Sequence, residues 1–200
     1  MSHATLWDWR RRVADLYGAV RTEPDPRAAW AKWRRVRDGL FRDHPQTPLE
    51  DPAGFQALPF FDYDPALRFS VSLDPVDGEP LALPAGADGE VRAQPFARTV
   101  GLAHSLGAEL TLFWLQGYGG GVFLPFADAT SGGETYGGGR YLLDTIKSAD
   151  LGVDEAGLTV LDFNFAYNPS CAYSARYVCP LSPRVNRLPA AVRAGERKPA

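Results

Sequence analysis

Hydrophobic positions recur every three to four residues through residues 1–43 and fall into short, often alternating runs after that. Leu6, Trp9, Val13 and Leu16 repeat at helical spacing, which predicts a helix over about Thr5 to Tyr17. A second helix is predicted from Asp25, an N-cap side chain followed by Pro26 at the first helical position. It carries Trp30, Trp33, Val36 and Leu40 on one stripe until Pro45 forbids continuation. Lys32, Arg34, Arg35 and Arg37 lie largely off that stripe and read as a solvated face rather than a nucleic-acid contact.

From His44 onward Pro, Gly and Asp punctuate the chain, which signals strands and loops. Leu58–Phe61, Leu67–Leu73, Ala97–His104, Glu109–Leu115, Val122–Phe126 and Leu158–Phe165 read as strands. Their connectors are short: Leu106-Gly107, the Tyr118 to Gly121 turn and, earlier, Asp88-Gly89. The expected fold is therefore mainly β within the α+β class: an antiparallel β-meander closing into a barrel or sandwich, with two N-terminal helices. Residues 1–50 form a helical extension packed on the core, 51–189 the β domain, and 190–200 a polar, mobile tail.

Composition narrows the function classes. Residues 1–50 hold ten Lys or Arg against seven Asp or Glu, whereas residues 51–136 hold three against eleven, and the whole chain carries a net charge of −3. No overall field attracts nucleic acid or an anionic membrane. No segment has the roughly 20 apolar residues of a membrane helix, and the N-terminal segment lacks an apolar leader-like run, so a cytoplasmic location is expected. Cys171 and Cys179 are then reduced by default.

Two segments concentrate chemistry. FADATSGGETYGGGRYLLD (Phe126 to Asp144) packs Gly132, Gly133, Gly137, Gly138 and Gly139 among Asp128, Thr130, Ser131, Glu134, Thr135, Tyr136 and Arg140. Its glycines match neither phosphate-loop pattern, so the readings are a tight double turn braced by its own side chains or a path against a ligand. In the second segment, Leu158 to Pro183, a period of two puts Val160, Asp162 and Asn164 on one face. A buried Asp162 needs a partner, and Arg140 is the expected one. Tyr167, Asn168, Cys171, Tyr173, Tyr177 and Cys179 follow in a loop. Thiol catalysis by Cys171 is disfavoured, because the only histidine beyond the N-terminal part is His104. The spacing of Cys and His matches no metal motif, and no cofactor is implied.

DATSGGETYGGGRYL (Asp128 to Leu142), LDFNFAYNPSCAYS (Leu161 to Ser174) and CPLSPRVNRLP (Cys179 to Pro189), with HPQTPL (His44 to Leu49) and the segment Phe60 to Pro65, resemble the bacterial family catalogued as domain of unknown function 1684. The resemblance implies that the two Gly- and Tyr-rich segments act as one unit; it implies no activity. A disulfide between the cysteines would be natural in exported relatives, whereas this chain has a short helical extension instead.

Two functions are expected from different classes. In one, Glu134, Tyr136, Arg140, Asp162, Asn164, Tyr167 and Asn168 line a pocket for a small anionic or polar molecule that is bound, or bound and transformed, there, with Cys171 and Cys179 as structural or reactive thiols. In the other, the same residues form a buried hydrogen-bond network and the Trp-rich helices dock a partner or a second copy.

Overall fold

The computed structural model describes residues 2–86 and 89–199. Helix α1 spans His3–Arg21, with the Ser2 hydroxyl accepting the Thr5 N–H at 3.2 Å. Helix α2 spans Pro26–Asp43, and the Asp25 carboxylate accepts the Arg27 N–H at 2.9 Å. These caps satisfy donors that the first helical turn leaves free. Leu16, Tyr17, Val20, Ala29, Trp30 and Trp33 bury one shared face against Tyr63, Ala149 and Phe165. The helical extension is thus packed on the β core, as its apolar stripes require.

Among the described residues seven strands follow: β1 Arg68–Pro75, β2 Leu81–Pro84, β3 Glu90–Val100, β4 Thr111–Leu115, β5 Gly121–Phe126, β6 Arg140–Asp144 and β7 Thr159–Asp162. They pair antiparallel in the order β6-β5-β4-β3-β1-β7, with β2 added on β3. Leu112, Leu124 and Leu142 belong to the main core, while Phe113, Phe123 and Tyr141 enter a second cluster. Both faces of these strands are therefore covered. Beyond β7 the chain turns back to β6, where Tyr141 and Tyr167 exchange both backbone hydrogen bonds at 2.8 and 3.1 Å. The sheet is thereby nearly closed into a barrel.

Several local expectations change. The Leu58–Phe61 stretch forms no strand, only a bridge between Phe60 and Glu196. The extended reading of Ala97–His104 stops at Val100, and Ala103–Leu106 forms a single helical turn, α3. Glu109 causes this: its carboxylate accepts the Thr99 hydroxyl at 2.6 Å and the N–H groups of Gly101, Leu102 and Ala103 at 2.9–3.0 Å. Similarly, β7 ends at Asp162, and Phe163–Phe165 forms a 3-10 turn. Asp88 of the expected Asp88-Gly89 turn lies outside the described residues.

The expectation of a mobile tail is corrected. Val192 and Ala194 are buried in the main core, and Glu196 is fully buried. The tail pairs through its backbone: Phe61 N–H with Gly195 C=O, Glu196 N–H with Ala166 C=O and Arg197 N–H with Pro59 C=O, at 2.8–3.0 Å. Gly195 has a φ of +74°, and a Cβ there would lie 2.5 Å from the Ala166 carbonyl oxygen. Only glycine fits this threading, and backbone pairing of a short polar segment has no sequence period to announce it.

Candidate functional site

Arg140 does not meet Asp162. It is enclosed, with its side chain 1% exposed, and Nη2 donates to Asp128 Oδ2 at 2.8 Å and Val192 C=O at 2.9 Å. Nη1 donates to the carbonyls of Ala194 and Glu196. The Gly-rich segment is the double turn that holds Asp128 in place: Asp128 Oδ1 also accepts the Thr130 N–H and hydroxyl at 2.7 and 2.6 Å, and the Thr130 and Thr135 hydroxyls meet at 2.8 Å. Gly139, with φ +87°, brings its backbone so close that a Cβ would lie 2.5 Å from the Phe126 carbonyl oxygen. Glu134 pairs on the surface with Arg193 at 2.9 Å, which holds its pKa below the usual value. Arg140 and its turn therefore clamp the tail.

Asp162 and Asn164 are brought together by a turn rather than a shared strand face. Asp162 Oδ1 accepts the Asn164 N–H at 3.0 Å and Nδ2 at 2.7 Å, and Oδ2 faces Arg68 at 3.3 Å. Burial raises the Asp162 pKa against the opposing pull of Asn164 and Arg68. Asn164 also clasps the Asp64 backbone, accepting its N–H and donating to its C=O at 2.8 Å each. This pair fixes the entry to β1.

Tyr167 and Asn168 lie elsewhere, on a cleft of about 210 Å³ between the helical pair and the barrel closure. Its walls include Trp9, Tyr17, Phe41, Tyr141, Tyr167 and Tyr173, and its charged side chains are Arg10, Arg37 and Lys147. Among the described residues no carboxylate side chain lines it. Cys179 also lines it, with its Sγ accepting the Cys171 N–H at 3.4 Å. Tyr136 stands behind this pair, its hydroxyl 3.5 Å from Cys171 Sγ. That contact, with burial, pushes the Tyr136 pKa up to about 12.

Arg37 forms the floor. Its Nε and Nη2 donate to Glu196 Oε1 at 2.9 and 2.5 Å, while Nη1 donates to no described protein acceptor. The guanidinium carbon sits 5.1 Å from the ring centres of Trp33, Phe41 and Tyr167. Burial opposes its charge, but the Glu196 carboxylate more than offsets this, so its pKa is raised. Glu196 Oε2 accepts the Tyr173 hydroxyl at 2.6 Å and the Asn168 N–H at 2.7 Å. Asn168 Nδ2 donates to Arg197 C=O at 2.8 Å, and its buried Oδ1 has no described partner. At the rim, Lys147 Nζ meets Asp144 Oδ2 at 2.6 Å with the lysine 54% exposed.

Among the described residues no group of three His, Cys, Asp or Glu side chains is placed to hold a metal ion, and no helix is long and apolar enough to cross a membrane. Arg37, Tyr17, Lys147 and Glu196 were not singled out as site residues by the sequence. For Arg37 a signal existed: it follows Trp33 by four residues and precedes Phe41 by four, which puts it on the apolar stripe, not off it.

Residues 53–197 match the model of a family described as protein of unknown function, DUF1684. The chain belongs to that family. This DUF1684 chain is similar to the uncharacterized protein from gene locus rrnAC0354 of Haloarcula marismortui, solved by solution NMR. The two share 32% identity and a TM-score of 0.55, over 82% of this chain and 89% of that one. No curated protein matches the chain. The DUF1684 match contains the barrel wall of the cleft, from Tyr141 to Cys179, and also Glu196, whereas Tyr17 and Arg37 on the helices precede it.

Proposed function

We propose that the protein binds a small anionic molecule in the cleft between its helices and the barrel closure, and that it works in the cytoplasm. The observation that carries the binding reading is the lining: three cationic side chains, aromatic walls and no carboxylate among the described residues. A concave site that is mostly apolar with a few convergent polar groups is the usual form of a ligand pocket. The unlinked thiols of Cys171 and Cys179 favour a reducing compartment.

The test is thermal melting of the full chain against a panel of small carboxylates and phosphates, each beside a neutral isostere. Anions are expected to raise the melting temperature and their isosteres are not, and the charge-reversing change Lys147→Glu is expected to shrink the rise. Equal shifts from the neutral compounds, or none from any compound, would end the proposal.

A second reading, a module whose helices pair with a partner or a second copy, is favoured by Trp7, which is 68% exposed beside Leu6 on α1. Sedimentation of the chain and of Trp7→Ala decides it: a dimer that the substitution dissolves supports pairing, and a monomer in both cases removes self-association.

A further inference from the structure

We infer that the ligand of this cleft is a monocyclic aryl monocarboxylate, with its carboxylate held by Arg37 and the hydroxyls of Tyr17 and Tyr167. This rests on the anion-binding reading proposed above and names the class of anion. Three features select it: the charge of the floor, its geometry and the size of the space.

Arg37 is already neutralised by Glu196 and Lys147 by Asp144, so these pairs together with Arg10 leave a surplus of one positive charge around the cleft. Such a surplus suits a single negative charge better than a dianionic phosphate. The geometry agrees. With Nε and Nη2 turned to Glu196, Arg37 still offers a ligand Nη1 and the second hydrogen of Nη2, a fork that fits the two oxygens of one carboxylate. Tyr17 and Tyr167 line the same cleft as Arg37, close enough that its charge acts on both phenols, and Tyr17 also borders the Trp33 indole. Burial pushes the Tyr17 pKa up to about 12 and raises that of Tyr167, so both keep their protons and act as donors at neutral pH. The free end of the guanidinium and two hydroxyls supply donors enough for both oxygens of one carboxylate.

The body of the ligand follows from the space. A dry cavity of about 150 Å³ accommodates benzene. The cleft, at about 210 Å³, therefore has room for one six-membered ring and a carboxylate arm. Its walls are themselves rings in edge-to-face contact, Phe41 with Tyr173 at 5.0 Å and Tyr141 with Tyr167 at 5.7 Å, which favours an aromatic body over an aliphatic one.

Isothermal titration of the full chain with benzoate, cyclohexanecarboxylate, benzamide and inorganic phosphate tests the assignment. Benzoate is expected to bind at least tenfold more tightly than benzamide and phosphate, and several-fold more tightly than cyclohexanecarboxylate. Phosphate or cyclohexanecarboxylate binding as well as benzoate would overturn the aryl carboxylate while leaving anion binding in place; no heat from any anion would overturn both. Tyr17→Phe combined with Tyr167→Phe is expected to weaken benzoate at least tenfold at an unchanged melting temperature. Wild-type affinity in that variant overturns the proposed anchor. If the variant melts early, Tyr167→Phe alone replaces it, with a several-fold loss expected and full affinity again overturning the anchor.

Discussion

Arg140 and Arg37 are two buried guanidiniums held in opposite ways. Arg140 gives both terminal nitrogens to Asp128 and three tail carbonyls, whereas Arg37 keeps one terminal nitrogen clear of protein acceptors. Replacing Arg140 with Met leaves Asp128 charged, buried and short of its cation, a loss of about 3–5 kcal/mol. Urea denaturation is expected to show that loss with or without an anion present. Glu109 makes a pH-dependent contribution. Burial pushes its pKa up, yet the Thr99 hydroxyl and three backbone N–H groups outweigh it and the net shift is downward from 4.5. The unfolded chain therefore binds this proton at a higher pH than the folded one does. The stabilisation is complete above pH 4.5 and disappears as the pH falls through the lowered folded value. Glu109→Gln is expected to lower stability at pH 7 by about 1–3 kcal/mol and to flatten the acid side of the stability curve, measured by denaturation from pH 7 to pH 3. The sequence offered Arg140 as a buried partner for an acid but gave the wrong acid, since Asp128 and Asp162 are equally eligible until the strands are placed.

Elements with a strong period were legible, and those built on single side-chain contacts were not. Helices α1 and α2 followed from stripes and caps, and β4 and β5 from apolar runs joined by a Gly-rich turn. Strand β2 is four residues with Pro at its end, and α3 exists because Glu109 gathers three N–H groups, a contact no local pattern displays. The Asp162 turn replaced the end of a strand for the same reason, since a side chain supplied the acceptor that a neighbouring strand would have. Half of the candidate site was visible as the Tyr167-Asn168 loop; the other half stands on α2, where the density of basic residues disguised one that points inward. Trp33 is the joint between helix and barrel, fully buried against Phe60 and Phe165 at ring separations of 5.6 and 5.3 Å. Trp33→Ala is expected to cost about 3–5 kcal/mol through the cavity it leaves. The same substitution removes a ring from the guanidinium of Arg37, so calorimetric titration should show anion affinity falling as well.

At the scale of the whole molecule the tail joins the two clusters. Arg140 fixes the carbonyls of Val192, Ala194 and Glu196, and the Glu196 side chain then fixes Arg37, Tyr173 and the Asn168 N–H. Fold stability and cleft geometry thus pass through one residue near the chain's end. Glu196→Gln preserves shape and keeps an acceptor for the Tyr173 hydroxyl, but it removes the charge that neutralises Arg37. Breaking a buried pair in this way costs about 3–5 kcal/mol. The same change frees the full positive charge of Arg37 for a ligand. The variant is therefore expected to be less stable than the wild type and to bind anions more tightly. Its deficit should shrink as anion is added, because a ligand bound only by the folded state stabilises it by about 2.7 kcal/mol at a hundredfold excess over its Kd. Urea denaturation across a benzoate series, with both proteins in parallel, reads the two effects together. Converging midpoints confirm that Glu196 sets the charge of the cleft; parallel ones show a purely structural pair.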